Sequence, residues 1–297
     1  MRTTLDPTLD VVFKMLFGSR ASRGALVDLL TAVLRPPRPI TDVRVLNPEV
    51  GREQVEDKGI VLDLLVEFDD GTRVDVEMQV ARRAGLRRRA VYYWARLFSG
   101  QLERGQPYTA LRPVISVLFL DYIELDTPRF HSTFRIMEAH DHLVFSNVLE
   151  LHVIELPKRA RAARQDERPL LDWSRFLGAK TDEEVKEACM SNPAIAKANE
   201  LLKDLSATPT VQELVRQRQL ALDTYRIEMS AAKDEGREEG KEEGRQMGQV
   251  EGLRFGIQAL LEVLGIELDQ ARKTELAQLS ADELVALGDR LRRERRW

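Results

Sequence analysis

Residues 56–79 read EDKGIVLDLLVEFDDGTRVDVEMQ. Two runs rich in apolar residues flank Asp69-Asp70-Gly71, and Asp-Gly between such runs is a strong hairpin signal. A three-residue loop with Gly last puts Phe68 opposite Thr72. Ile60, Leu62, Leu64, Val66 and Phe68 then share one face with Thr72, Val74, Val76, Met78 and Val80. The other face carries Asp63, Leu65 and Glu67 against Arg73, Asp75, Glu77 and Gln79. A two-residue loop would slip the pairing by one and mix the faces, which burial of one face forbids.

This register sets Asp63 opposite Glu77, their Cβ atoms roughly 4.5–5.5 Å apart, with Asp75 and Gln79 beside them. Like charges directly opposed are destabilising, so the pair needs a reason. One is a hard divalent cation such as Mg²⁺, which binds one or two carboxylates together with waters and phosphate oxygens. The other is a solvated outer face, its charges relieved by Arg73 and by salt screening. Spacing alone leaves both open.

Asp63, a hairpin, then Glu77-Met78-Gln79 resembles the core of the PD-(D/E)XK nucleases in its Glu-x-Gln variant. Together with Thr8–Gly18 (TLDVVFKMLFG) and Asp57-Lys58, it resembles the Rpn group of recombination-promoting nucleases and transposase-like proteins. Tyr92-Tyr93, Gly105-x-x-Tyr108 and Pro113-Val114-Ile115 sit where that group has similar residues, so the likeness spans residues 5–125 closely. It implies an α/β, restriction-endonuclease-like fold, a mixed sheet flanked by helices, and a metal-dependent DNA endonuclease. Asp63 and Glu77, with the Met78 carbonyl, would hold Mg²⁺ (Mn²⁺ or Ca²⁺ as alternatives), and Asp10 would complete the acidic cluster. Two departures stand out. Leu62 precedes Asp63 where the general pattern has Pro, and Gln79 replaces the usual Lys. A neutral amide orients water but carries no charge, which leaves Lys14 or Lys58 to provide the cation.

With 297 residues and a net charge of −4, the chain has no global basic signature. Nucleic-acid binding must therefore come from a local patch. That patch follows Gln79: Arg82, Arg83, Arg87, Arg88 and Arg89, five arginines in eight positions. Such a run is often only a solvated face. Here it leads out of the carboxylate strand, where a phosphate backbone would pass, so Arg82, Arg83, Arg87, Arg88 and Lys58 are the expected DNA contacts. Cys189 is the sole cysteine, which fits a reducing cytoplasm. No apolar run approaches a membrane span of about 20 residues.

Asp10 and Lys14 are i,i+4 on a first helix, a spacing that also suits a surface ion pair. A second helix over Arg23–Leu34 ends at Pro36-Pro37. Thr41–Val50 should add a strand to the hairpin, Pro113–Leu125 a strand buried on both faces, and Phe130–Glu138 and Glu150–Leu156 further strands. His140-Asp141-His142 reads as a polar turn. Residues 1–157 form the expected nuclease-like domain, with a charged linker from Lys158 to Arg168. A helical region follows to 232, with helices over 181–205 and 210–232.

Gly236, Gly240, Gly244, Gly248, Gly252 and Gly256 then recur every fourth residue of a 233–264 segment. Each glycine costs a helix up to about 1 kcal/mol against alanine. The stripe is thus either a close-packed self-association helix, making the protein a homo-oligomer, or a flexible charged linker. Residues 265–297 read as a short helical tail with a frayed basic end.

Overall fold

The hairpin forms in the expected register. The computed structural model describes residues 2–46, 63–82, 84–161 and 167–297. Within it β2 (Leu64–Phe68) pairs antiparallel with β3 (Arg73–Gln79), with Leu64 opposite Val76 and Glu67 opposite Arg73. The Phe68 N–H donates to the Thr72 carbonyl at 2.9 Å, and Gly71 takes φ 83°. A side chain is strained in that left-handed region, so glycine is the residue that closes the loop. Positions 60–62 lie outside the described residues. The expected strand at Thr41–Val50 appears as β1 (Val43–Val45), antiparallel to β2, with residues 47–50 outside the description.

From β3 the sheet continues in parallel. A parallel neighbour requires a crossover, and α3 (Leu86–Ser99) supplies it, leading to β4 (Val114–Leu120). Next come β5 (His131–Met137) and β6 (Val144–Glu155), giving the six-stranded order β1-β2-β3-β4-β6-β5. β4 sits at the centre, buried on both faces as its continuous apolar run requires. The expected polar turn holds His140 and His142, both exposed.

Two helical layers enclose this sheet. α1 (Asp10–Gly18) and α2 (Arg23–Leu34) cover the face of Val74, Val76 and Met78, with Phe13 6.2 Å from Phe119. On the opposite face Leu86 and Ala90 of α3 pack with Leu118, Leu120 and Val153. That second face also carries Asp75, Glu77 and Gln79, because residues alternate sides along a strand.

The chain divides into two compact units, residues 1–219 and 220–297. The first unit runs past the boundary expected at 157. Lys158 is not part of a linker: it is buried and bonds Glu155 Oε2 at 2.5 Å and the Leu125 carbonyl at 2.8 Å. The helical pattern expected over 181–205 is cut by Asn192-Pro193 into α5 (Asp182–Ser191) and α6 (Pro193–Ala207). Before them, α4 (Arg168–Leu177) brings Trp173 against Phe17 at 5.7 Å, and its indole N–H donates to Asp28 at 2.6 Å. These contacts join residues 168–207 to the α1–α2 layer.

α7 (Pro209–Leu264) starts well before the glycine stripe and ends in the second unit. There Ile257 and Leu261 form a core with Leu276 of α8 (Gln270–Gln278) and Leu284, Leu287 and Leu291 of α9 (Ala281–Glu294). The C-terminus is anchored rather than frayed: Trp297 packs on that core, with Arg272 5.7 Å from its ring. Among the described residues no helix is long and apolar enough to cross a membrane.

Trp173→Ala should cost about 3–5 kcal/mol, read as a lower denaturant midpoint at unchanged slope. All six stripe glycines are exposed, and a Cβ added at any of them meets nothing within 4 Å. Gly240→Ala and Gly244→Ala should therefore each stabilise α7 by up to about 1 kcal/mol in the isolated chain. If the stripe is a contact between copies, the same changes will lower the mass measured by light scattering.

Candidate active site

The hairpin register brings the two predicted carboxylates together at the end of β2 and β3. Each is also held by the other's strand. The Met78 N–H donates to Asp63 Oδ2 at 2.8 Å, and the Asp63 N–H lies 3.4 Å from Glu77 Oε1. Asp75 and Glu77 are buried, while Asp63 keeps some exposed surface. The reading of this face as solvated is thereby excluded at β3.

Burial is the main electrostatic consequence. It pushes Asp63 well above the usual carboxylate range, with Glu77 adding repulsion and the Met78 N–H opposing. Burial and then Asp63 raise Asp75 likewise. Glu77 rises to about 8, through burial and then Asp75, against the pull of Arg89. Buried carboxyls of this kind either take up protons or stay ionised beside a counter-charge.

Gln79 is fixed by its own polarity. Its Nε2 donates to Glu77 Oε2 at 3.0 Å, and its Oε1 accepts from Arg89 Nη2 at 3.0 Å. A flipped amide would set donor against donor and acceptor against acceptor, so one orientation alone satisfies the chain. Among the described residues the cation beside Gln79 is thus Arg89, not Lys14. Lys14 is half-buried and makes no ion pair with a described residue; Lys58 lies outside the described residues.

Asp10 does reach the acidic centre, close enough to repel Asp63. It does not pair with Lys14. Both its oxygens are taken by Arg218 near the start of α7, with Nε 2.9 Å from Oδ1. While so paired, Asp10 contributes to the field around Asp63 rather than an open ligand. The spacing of 208 residues gave the sequence no signal for Arg218.

The basic run divides by partner. Arg82 donates to the Ile123 carbonyl, and Arg87 bonds the Glu124 side chain at 3.1 Å and its carbonyl at 3.0 Å. Both arginines hold the connection after β4. Arg88 is exposed without a partner among the described residues, and Arg83 lies outside them. A separate cluster on the opposite sheet face, absent from the sequence reading, sets His131 Nε2 2.8 Å from His152 Nδ1.

Among the described residues no three His, Cys, Asp or Glu side chains gather closely enough to hold a metal by themselves. The residues present nonetheless fit Mg²⁺, which needs few carboxylates and accepts carbonyl, water and phosphate oxygens. Asp63 and Glu77 face each other, and Asp75 Oδ1 is buried without a hydrogen-bond partner. Arg218 and Arg89 act on Asp63 and Glu77, yet burial and mutual repulsion outweigh them.

A carboxyl whose folded pKa is raised weakens the fold as pH climbs from its unfolded value to its folded one. For Glu77 that window is roughly pH 4.5 to 8. In EDTA, Glu77→Gln should therefore melt above the wild type at pH 8.5, and the two should converge near pH 5. Equal melting at both pH values would refute the buried-carboxylate account.

The paired carboxylates, the Glu-x-Gln end of β3 and the α3 crossover are the parts the sequence likeness required. No curated protein and no solved structure matches the chain. One family model does, over residues 7–231, a span that takes in Asp10, Asp63, Glu77, Gln79, the arginine run and Arg218. The match covers most of the chain, and with the sheet and carboxylates placed as described, the protein belongs to the PD-(D/E)XK nuclease family transposases.

Proposed function

We propose that the protein is a metal-dependent DNA endonuclease that hydrolyses phosphodiester bonds in a recombination or mobile-element setting. The observation that carries the reading is the pair Asp63–Glu77, set opposite one another and each bonded to the main chain of the other's strand. A surface ion network would not bury two carboxylates face to face. A site for a hard cation does so at a cost that the cation offsets.

Asp63, Glu77 and the Met78 carbonyl are the groups that would hold Mg²⁺, with Mn²⁺ or Ca²⁺ as possible replacements. When bound, the cation lowers the pKa of a water and offsets charge on the phosphate. The chain's own residues do the rest. The Met78 and Asp63 N–H groups keep the carboxylates facing one another, and Gln79 is held where its amide orients a water. In the reaction the water gives up one proton to solvent as its oxygen forms the new P–O bond, the bridging P–O bond breaks, and the departing oxygen takes up a proton from solvent. Arg88, with Arg82, Arg83, Arg87 and Lys58, forms the proposed contact to the DNA backbone. Arg82 and Arg87 already bind the protein's own loop, so their share depends on releasing Ile123 and Glu124. Lys14 and Asp10 shape the field at the centre. Self-association through the Gly236–Gly256 segment of α7 is the proposed means of assembly.

Supercoiled plasmid incubated with Mg²⁺ should be nicked or linearised by the wild type and left intact in EDTA. Asp63→Ala and Glu77→Ala, purified in parallel, should reduce cutting to background while retaining the fold by circular dichroism. Equal cutting by all three proteins would mean a contaminant. Retention of DNA in a gel shift without cutting would favour a silent DNA-binding protein. Retention itself should fall steeply with salt, as phosphate contacts dictate.

A further inference from the structure

Among the described arginines after β3, Arg89 turns inward to the carboxylates. Arg82 and Arg87 hold Ile123 and Glu124, and Arg88 is exposed. Arg89 is half-buried on α3 and donates to Gln79 Oε1 at 3.0 Å. Its guanidinium also lies 5.9 Å from the ring of Tyr93, one helical turn on. Two contacts thus fix its planar group, and the Gln79 amide passes the connection to Glu77 Oε2 at 3.0 Å.

We infer that Arg89 is the positioning residue of the nuclease centre: it supplies, from α3 and through Gln79, the fixed positive charge that Gln79 itself lacks. This rests on the nuclease reading above and specifies how that site works without a lysine on β3. Three physical points support it. The Arg89 Nη2–H orders the Gln79 amide, which decides that the N–H side faces Glu77. Its remaining N–H groups bond no described residue, and a guanidinium fork matches phosphate oxygens. A half-buried, pre-oriented cation acts more strongly on developing charge than a flexible surface one.

The experiment is plasmid cleavage in Mg²⁺ by wild type, Arg89→Met, Gln79→Met, and the double variant Arg89→Met/Gln79→Lys, each checked for cooperative melting. Arg89→Met should lower kcat about 100-fold with little change in KM, the signature of lost transition-state stabilisation. Gln79→Met should show a comparable loss, because it cuts the same connection. The informative variant is the double one. A lysine at position 79 restores the cation from the strand, so cutting should recover at least about tenfold over Arg89→Met alone. A purely structural arginine would not be rescued in that way.

Arg89→Met cutting like the wild type would overturn the inference, as would Gln79→Lys failing to restore any activity to it. If Arg89→Met does not fold, Gln79→Met in a folded protein decides the matter, wild-type cutting by that variant again overturning it. Absence of cutting by the wild type itself would remove the nuclease reading and this inference together. The wild-type lane separates that outcome from a failure of Arg89 alone.

Discussion

The site depends on one backbone register. A three-residue turn at Asp69-Asp70-Gly71 fixes Leu64 opposite Val76 and so brings Asp63 to Glu77. Shifting the pairing by one residue would send Val74, Val76 and Met78 to the α3 face and the carboxylates into the Phe13–Phe119 core. Burying ionised groups there without partners is far costlier than burying them at a sheet end where solvent and ions have access. Hydrophobic burial on one face therefore enforces carboxylate proximity on the other, although nothing attractive acts between the two acids.

That proximity sets the electrostatic demands on the surroundings. Asp63, Asp75 and Glu77 are crowded, with Asp10 near enough to add to the repulsion. The protein answers with two arginines that approach from different layers. Arg218 takes Asp10 in a bidentate pair, and Arg89 reaches Glu77 through an amide. Neither lies directly on the Asp63–Glu77 pair. This arrangement lowers the repulsion while keeping both carboxylates as acceptors, which a direct salt bridge would not.

What was legible in the sequence followed from range. The hairpin, its faces and the opposition of Asp63 to Glu77 are local, fixed by alternation and one turn, and β4 announced itself as a continuous apolar run. The identity of the inward arginine was not local. It depends on how α3 is set against β3 after the turn, so five arginines looked alike until Arg89 was seen against Gln79. Arg218 gave no signal because its partner is Asp10 at the other end of the matched region. Lys158 misled for a related reason: a lysine among arginines reads as solvated, whereas its buried partner Glu155 is visible only in three dimensions. The helix break at Asn192-Pro193 was present in the letters, since Asn caps and Pro opens a helix.

The long helix raises a different question of balance. Six glycines remove on the order of 5 kcal/mol of helix stability relative to alanine. The exposed i,i+3 pairs along the stripe, Glu238–Lys241 and Glu242–Arg245, return only about 0.2–0.5 kcal/mol each. The helix must therefore be held by its ends, through Arg218 and buried Val215 near the start and Ile257 and Leu261 in the second core. Among the described residues nothing exploits the missing side chains, because a Cβ would be accommodated at every one of the six positions. Packing among the described residues thus gives no reason for glycine there, and by propensity the helix would be more stable with alanine.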